Sequence, residues 1–307
     1  MTGEPFTLLF TLLHGYFDGP FLLAWSFDPF VTTSLIAAAS VYWLAWRKVR
    51  AAGGIQPPTW YVLAFASGIL FLAFSLLGPL ETYNEQLFTL HMSQHLVIMQ
   101  VATPLLLLGR PAQLILRALP PRKTKRTVGF LFGKSNIRYA VIAITGPVVA
   151  FMLFSVNLGI WHLPSFYEAA LTNDWIHHLQ HLLFAGFSML YWWLIIDPVP
   201  RHHRLPEGWA IGSIFLSMMI GSGIGAILTL SGSVLYPFYL EAANPWGWSP
   251  LVDQQVGGLI MWVGSFLLYA GFAIWLAAQF LQRDEQNADI AVNSTGRQGH
   301  GQTAASS

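Results

Sequence analysis

Asp174-Trp175-Ile176-His177-His178-Leu179-Gln180-His181 opens a run that continues almost wholly apolar to Ile196. About 20 such residues are enough for a helix to cross a membrane. On that helix His177 and His181 stand four apart, and His178 and His181 three apart, so their imidazoles share a face. Asp174, three before His177 and seven before His181, lies on it too. A second run begins in the same way with His91-Met92-Ser93-Gln94-His95 and then Met99, so His91, His95 and Met99 form a stripe at i, i+4, i+8. Ionisable groups inside a membrane are costly and usually functional, and two histidine-headed apolar helices therefore call for a chemical reason.

The rest of the chain fits that setting. Of 307 residues 54% are hydrophobic and 9% charged, whereas soluble domains carry about a quarter charged. The sequence predicts an all-α integral membrane protein: an outer interfacial segment over 1–29, a membrane domain over 30–280 and a disordered polar tail over 281–307. Seven spans are expected, at about 30–46, 60–80, 87–108, 139–160, 175–196, 209–230 and 256–280. Residues 110–138 form a basic, amphipathic connection at the membrane surface. The start, Met1 to Pro5, has no basic residue, so no cleaved signal peptide is expected.

All 15 Lys and Arg fall after spans one, three and five and in the tail. By the positive-inside rule the N-terminus is outside and the C-terminus inside. Seven of the ten histidines then gather toward the outer leaflet: His14, His91, His95, His162, His177, His178 and His181. At a rise of about 1.5 Å per residue, His95 and His181 each sit about 6–8 Å below their helix starts and face one another if spans three and five are neighbours. Nine acidic residues and no basic ones occupy the outer connections. Such an acidic mouth concentrates cations. The last outer connection ends Asp253-Gln254-Gln255, with Met261 further along, and supplies polar groups from a third helix.

With no cysteine, disulfides, iron–sulfur clusters and thiolate sites are excluded. Imidazole suits several transition metals and thioether adds a preference for Cu(I), so the favoured ion is copper. The expected ligands are His91, His95, His177 and His181, with His178, His162, Met99 and Asp253 as second choices and Asp174 orienting an imidazole. Ligation needs neutral imidazole, so binding weakens in acid. The plainer reading makes the histidines hydrogen-bonding glue between helices. Gly221 and Gly225 form a small-residue pair suited to close helix packing, Met218 and Met219 read as core, and the Trp residues at span ends read as interfacial anchors. No hydrolase or nucleotide-binding motif is present.

Several motifs in series carry a resemblance. His91–His95 running into Thr103-Pro104-Leu105-Leu106-Leu107-Leu108-Gly109 is one. Trp161-His162-Leu163-Pro164 with Tyr167-Glu168-Ala169-Ala170-Leu171 is a second. The 177–181 cluster and Asp253-Gln254-Gln255-Val256-Gly257-Gly258-Leu259-Ile260-Met261-Trp262 complete the set. Over residues 28–280 the chain resembles the bacterial CtaG-type cytochrome c oxidase assembly factors. The resemblance implies seven spans in the plasma membrane and a part in assembling caa-type oxidase. It also implies help in placing copper in the oxidase's haem–copper centre. The partners implied are an oxidase subunit, the haem–copper subunit first, and the bilayer, with no nucleic acid. Delivery proceeds by ligand exchange, so no enzyme is expected. The alternatives are a b-type cytochrome with haem between His95 and His181, a cation permease, which the apolar inner halves of spans three and five disfavour, and a metal-free assembly scaffold.

Overall fold

The computed structural model describes residues 21–132, 139, 143–196, 205–242 and 244–282, and among these every regular element is helical. Helix α1 (Pro29–Ala51) begins where Asp28 precedes Pro29: the carboxylate accepts from the Val31 amide at 2.8 Å, and proline at the first position has no amide to leave unpaired. Gly53 and Gly54, at φ 74° and 81°, reverse the chain into α2 (Trp60–Leu76) and the single turn α3 (Pro79–Thr82).

The third span is α4 (Phe88–Leu96), a π-helical turn (Val97–Ala102) and α5 (Thr103–Leu108). Pro104 has no N–H to offer the Gln100 carbonyl, and Thr103 Oγ1 donates to the Ile98 carbonyl at 2.6 Å, so the ladder widens there. The basic connection contains α6 (Pro111–Ala118) and α7 (Pro121–Phe132). Arg117 donates from α6 to the Ile55 carbonyl at 2.7 Å, which ties this connection to the turn after α1. Next come α8 (Pro147–Trp161), α9 (Pro164–Thr172), α10 (Asp174–Ile196), α11 (Glu207–Leu230) and the single turn α12 (Phe238–Glu241). The last span is α13 (Pro250–Leu259), a second π turn (Ile260–Gly264) and α14 over 265–282.

Among the described residues six helical segments are long and apolar enough to cross a membrane, or seven if the pair α8–α9, bent by 76°, is one span. The difference from the expected fourth span is local. Gly146-Pro147 starts α8 late, and Pro164 forces the bend, which leaves 15 residues in α8. At about 1.5 Å per residue these rise roughly 22 Å, less than the hydrocarbon thickness of about 30 Å.

The third span is the axis of the bundle: 67% of its apolar window is buried, against 17% for α1. Helix α11 and the last span approach closely at Gly225 and Gly258. A Cβ on Gly258 would lie 2.7 Å from the Leu228 Cβ and the Thr229 amide, and one on Gly225 2.7 Å from the Trp262 amide. Gly221 meets nothing within 4 Å, so the close approach is made by one member of the expected pair. Met218 is core, and Met219 is exposed on the outside of the bundle. Trp43, Trp60, Trp175 and Trp209 are exposed, as anchors should be; Trp46, Trp161 and Trp192 are buried instead. Trp192 donates to the Met99 carbonyl at 2.9 Å and Trp161 to Asn157 Oδ1 at 3.0 Å, which satisfies their indole N–H groups in the core. His14, Glu4 and Asp18, the 201–204 turn and the polar tail with His300 lie outside the described residues.

Candidate metal centre

Two caps set the height of the histidines. The amides of Phe88 and Thr89, which open α4, donate to Asp253 Oδ2 at 2.7 Å and Oδ1 at 3.1 Å, and Thr89 Oγ1 donates to the Asp253 carbonyl at 3.0 Å. The last span therefore caps the third. Asn173 Oδ1 accepts from the amides of Trp175 and Ile176 at the start of α10. With both helices started at the same level and packed together, the stripe His91/His95 faces the stripe His177/His181.

The four imidazoles form a ring. Centroid separations are 4.4 Å for His91–His95, 5.4 Å for His91–His177, 4.3 Å for His177–His181 and 5.5 Å for His95–His181. All four are at most 8% exposed. His91 Nε2, both ring nitrogens of His95, His177 Nε2 and His181 Nε2 are buried without a hydrogen-bond partner. Buried polar groups are normally paired, so five such nitrogens on four neighbouring rings are a strong departure. Imidazoles sharing one tetrahedral ion at a metal–nitrogen bond of about 2.0–2.1 Å stand about 5 Å apart by centroid, which the observed spacings bracket. Among the described residues no three His, Asp or Glu side chains already point their donor atoms at a common ion position. Bringing their donor atoms to one ion position would take movement of the rings from where they stand.

The tautomer of His91 follows from its partners. Tyr239 donates its hydroxyl hydrogen to the Asn84 carbonyl at 2.8 Å, so its oxygen accepts from His91 Nδ1 at 3.3 Å. Tyr167 adds a third contact to that hydroxyl at 3.2 Å. His91 Nε2 is thus left with a free lone pair, the arrangement a second-shell donor contact produces at metal-ligating histidines.

The other expected residues separate. His178 engages both nitrogens, Nδ1 donating to the Asp174 carbonyl at 2.6 Å and Nε2 to Asp28 Oδ2 at 2.9 Å. It ties α10 to the cap of α1 and faces away from the ring. Both oxygens of Asp253 are taken by the α4 amides. Asp174 is exposed and touches His178 through its backbone rather than orienting a ring nitrogen by its carboxylate. Met99 and His162 line a cavity beside His95, together with Met92.

Several partners of the ring escaped sequence reasoning. Gln94 donates to the Ser75 carbonyl at 2.7 Å and to Glu81 Oε2, and its own Oε1 faces Asn84 Nδ2 at 3.5 Å. This network braces α4 against α2 and α3. Gln180, fully buried on the histidine side of α10, has neither amide atom in a formed hydrogen bond. The available signal was periodicity: Gln94 and Gln180 each directly precede a ring histidine.

The model of the cytochrome c oxidase caa3 assembly factor family (Caa3_CtaG) matches residues 40–283. An uncharacterised protein of Mycobacterium leprae is 28% identical over 274 residues, and uncharacterised proteins of Mycobacterium bovis and Mycobacterium tuberculosis are 28% identical over 272. Each alignment takes in 87% of this chain and 41% of the relative, so the chain spans about two-fifths of the length of the curated relatives it matches. No solved structure matches. With residues 40–283, more than three-quarters of its length, matched by that family model, the chain belongs to the cytochrome c oxidase caa3 assembly factor family.

Proposed function

We propose that this protein binds Cu(I) in the ring of His91, His95, His177 and His181 and passes it to an oxidase subunit during assembly of a caa3-type cytochrome oxidase. The observation that carries the reading is the set of five unpartnered, buried imidazole nitrogens at ligand spacing. Copper is cargo here. Neutral imidazoles hold a soft monovalent ion without adding net negative charge to the apolar bundle, and release is ligand exchange with no bond-breaking catalysis. The family's role in oxidase assembly supports the choice of recipient. The protein works as a seven-span protein of the bacterial plasma membrane, N-terminus outside and C-terminus inside. The alternation of all 15 basic residues supports this orientation. The ring then lies toward the oxidising side, near the acidic outer connections.

A haem between His95 and His181 is the weaker reading. His91, His177 and Phe184 pack against those two rings, Phe184 at 4.6 Å from His95, and a macrocycle would have to displace all three.

The test is metal content and visible spectrum of the detergent-purified protein after anaerobic Cu(I) loading and removal of excess. Tightly retained copper, lost in a His91→Ala/His181→Ala double variant and without a Soret band, is the expected result. A Soret band without copper moves the assignment to the cytochrome. Neither signal leaves a metal-free assembly scaffold, and oxidase assembly supported by the double variant in cells points the same way.

A further inference from the structure

A cavity of about 20 Å³ lies beside the histidine ring, between the third span, α8, α11 and the last span. One water-sized sphere needs about 10–15 Å³, so the space suits a single ion or small ligand. Three of the eight methionines line it: Met92 and Met99 from the third span and Met261 from the last. All three are buried.

Two histidines border the same space. His95 is 4% exposed with both ring nitrogens unpartnered, and it belongs to the ring on one side and to the cavity on the other. His162 sits at the bend between α8 and α9. Its Nδ1 lies 2.7 Å from the Leu158 carbonyl, which can only accept, so Nδ1 carries the hydrogen. Nε2 is left with its lone pair, buried and unpartnered. A backbone carbonyl holding Nδ1–H is the usual second-shell partner of a metal-ligating imidazole.

The backbone supplies an independent observation. Both π-helical turns described in this chain border the cavity. Met99 and Gln100 come from the first, Met261 from the second, and Gln100 Nε2 donates to Ser265 Oγ at 2.8 Å just beyond it. π turns re-aim side chains and concentrate at functional sites. Pro104 accounts for the first turn; the second has no proline.

We propose that this cavity is a second, thioether-rich station for Cu(I), formed by Met92, Met99, Met261 and His162, and that His95 connects it to the histidine ring. Thioether and imidazole donors select a soft monovalent ion. An ion on His95 exchanges nitrogen ligands of the ring for sulfur ligands of the cavity without a change of oxidation state. The proposal rests on the copper reading given above and adds a second position, deeper in the bundle, to it.

The test uses the full chain in detergent, loaded anaerobically with Cu(I) as a labile acetonitrile complex. Copper per chain is measured together with X-ray absorption at the copper edge. Two variants are compared with the parent: Met92→Leu/Met99→Leu/Met261→Leu, which conserves side-chain volume, and His177→Ala/His181→Ala, which leaves the cavity intact. The parent should retain about two copper ions per chain with nitrogen and sulfur scatterers, and each variant about one. The methionine variant should keep only nitrogen ligands and the histidine variant should keep sulfur. A parent with nitrogen-only copper that the methionine variant matches overturns the second station and leaves the ring. Sulfur-ligated copper that survives in the histidine variant, with nothing bound to the methionine variant, keeps the station and removes the ring. Loss of all copper from the histidine variant shows that the cavity does not bind independently and overturns the proposal. A parent with no copper overturns both.

Discussion

Asp253 looks like a metal ligand in the sequence and acts as a helix cap in the structure, and this difference can be measured. The carboxylate is 1% exposed and accepts from the Phe88 and Thr89 amides at 2.7 and 3.1 Å. Asp253→Ala removes both acceptors and leaves two amide donors in an apolar interior. Each unsatisfied buried donor costs about 1–3 kcal/mol, so the variant should lose about 2–5 kcal/mol. Asp253→Asn keeps one acceptor and turns an NH₂ toward the other amide, for a loss of about 1–3 kcal/mol. The order Asp, Asn, Ala should appear as a stepwise fall in the unfolding midpoint in detergent, of several degrees in all at about 2–4 °C per kcal/mol. Copper content per folded chain should stay unchanged in the Asn variant, because neither oxygen faces the ring. A variant with the parental midpoint and no copper would refute the capping argument and return Asp253 to the metal.

Other predictions follow the same geometry. His178→Ala should leave copper stoichiometry unaltered and cost about 1 kcal/mol, since it removes a partly exposed pair with Asp28 and an exposed bond to the Asp174 carbonyl within its own helix; lost copper would contradict the placement. Gly258→Ala should destabilise by about 1–3 kcal/mol, because the new methyl meets backbone and Cβ atoms at 2.7 Å, whereas Gly221→Ala should be near neutral. Equal thermal shifts for the two would remove the basis of the contrast. Burial pushes the Asp28 carboxyl up, but the Val31 amide and then His178 outweigh it and hold the group below its ordinary value. Asp28 therefore contributes stability above the unfolded carboxyl value, and that contribution fades as pH falls through the folded value. Hydrogen-exchange protection at the first turn of α1, corrected for the intrinsic rate at each pH, should fall in acid, and Asp28→Asn should remove most of that dependence. Trp192→Phe should cost about 1–2 kcal/mol through the lost bond to the Met99 carbonyl, read as a lower thermal midpoint with the helical signal retained.

Much of this molecule was legible in one dimension because a bilayer imposes a simple rule. Spans need about 20 apolar residues, and backbone groups must be satisfied within the helix. The positions of α1, α2, α4–α5, α10, α11 and the last span follow from that, within a turn at most ends. The stripes at 91/95 and 177/181 follow from helical periodicity. Periodicity says nothing about which helices are neighbours. The meeting of the two stripes was decided by tertiary packing, with Asp253 and Asn173 fixing the two helix starts. The bend at 162–164 and the π turns were decided locally by proline and by packing. They move Met99 and His162 into a cavity that no spacing rule predicts. Asp253 and His178 carry side chains that could hold a metal, and only the partners that reach them, the α4 amides and Asp28, show where their donors and acceptors are spent. The sequence by itself determined a helical membrane bundle with imidazoles grouped in two of its spans. Only the tertiary structure decided which imidazoles keep unpartnered nitrogens, because hydrogen-bond partners come from elements distant in the chain.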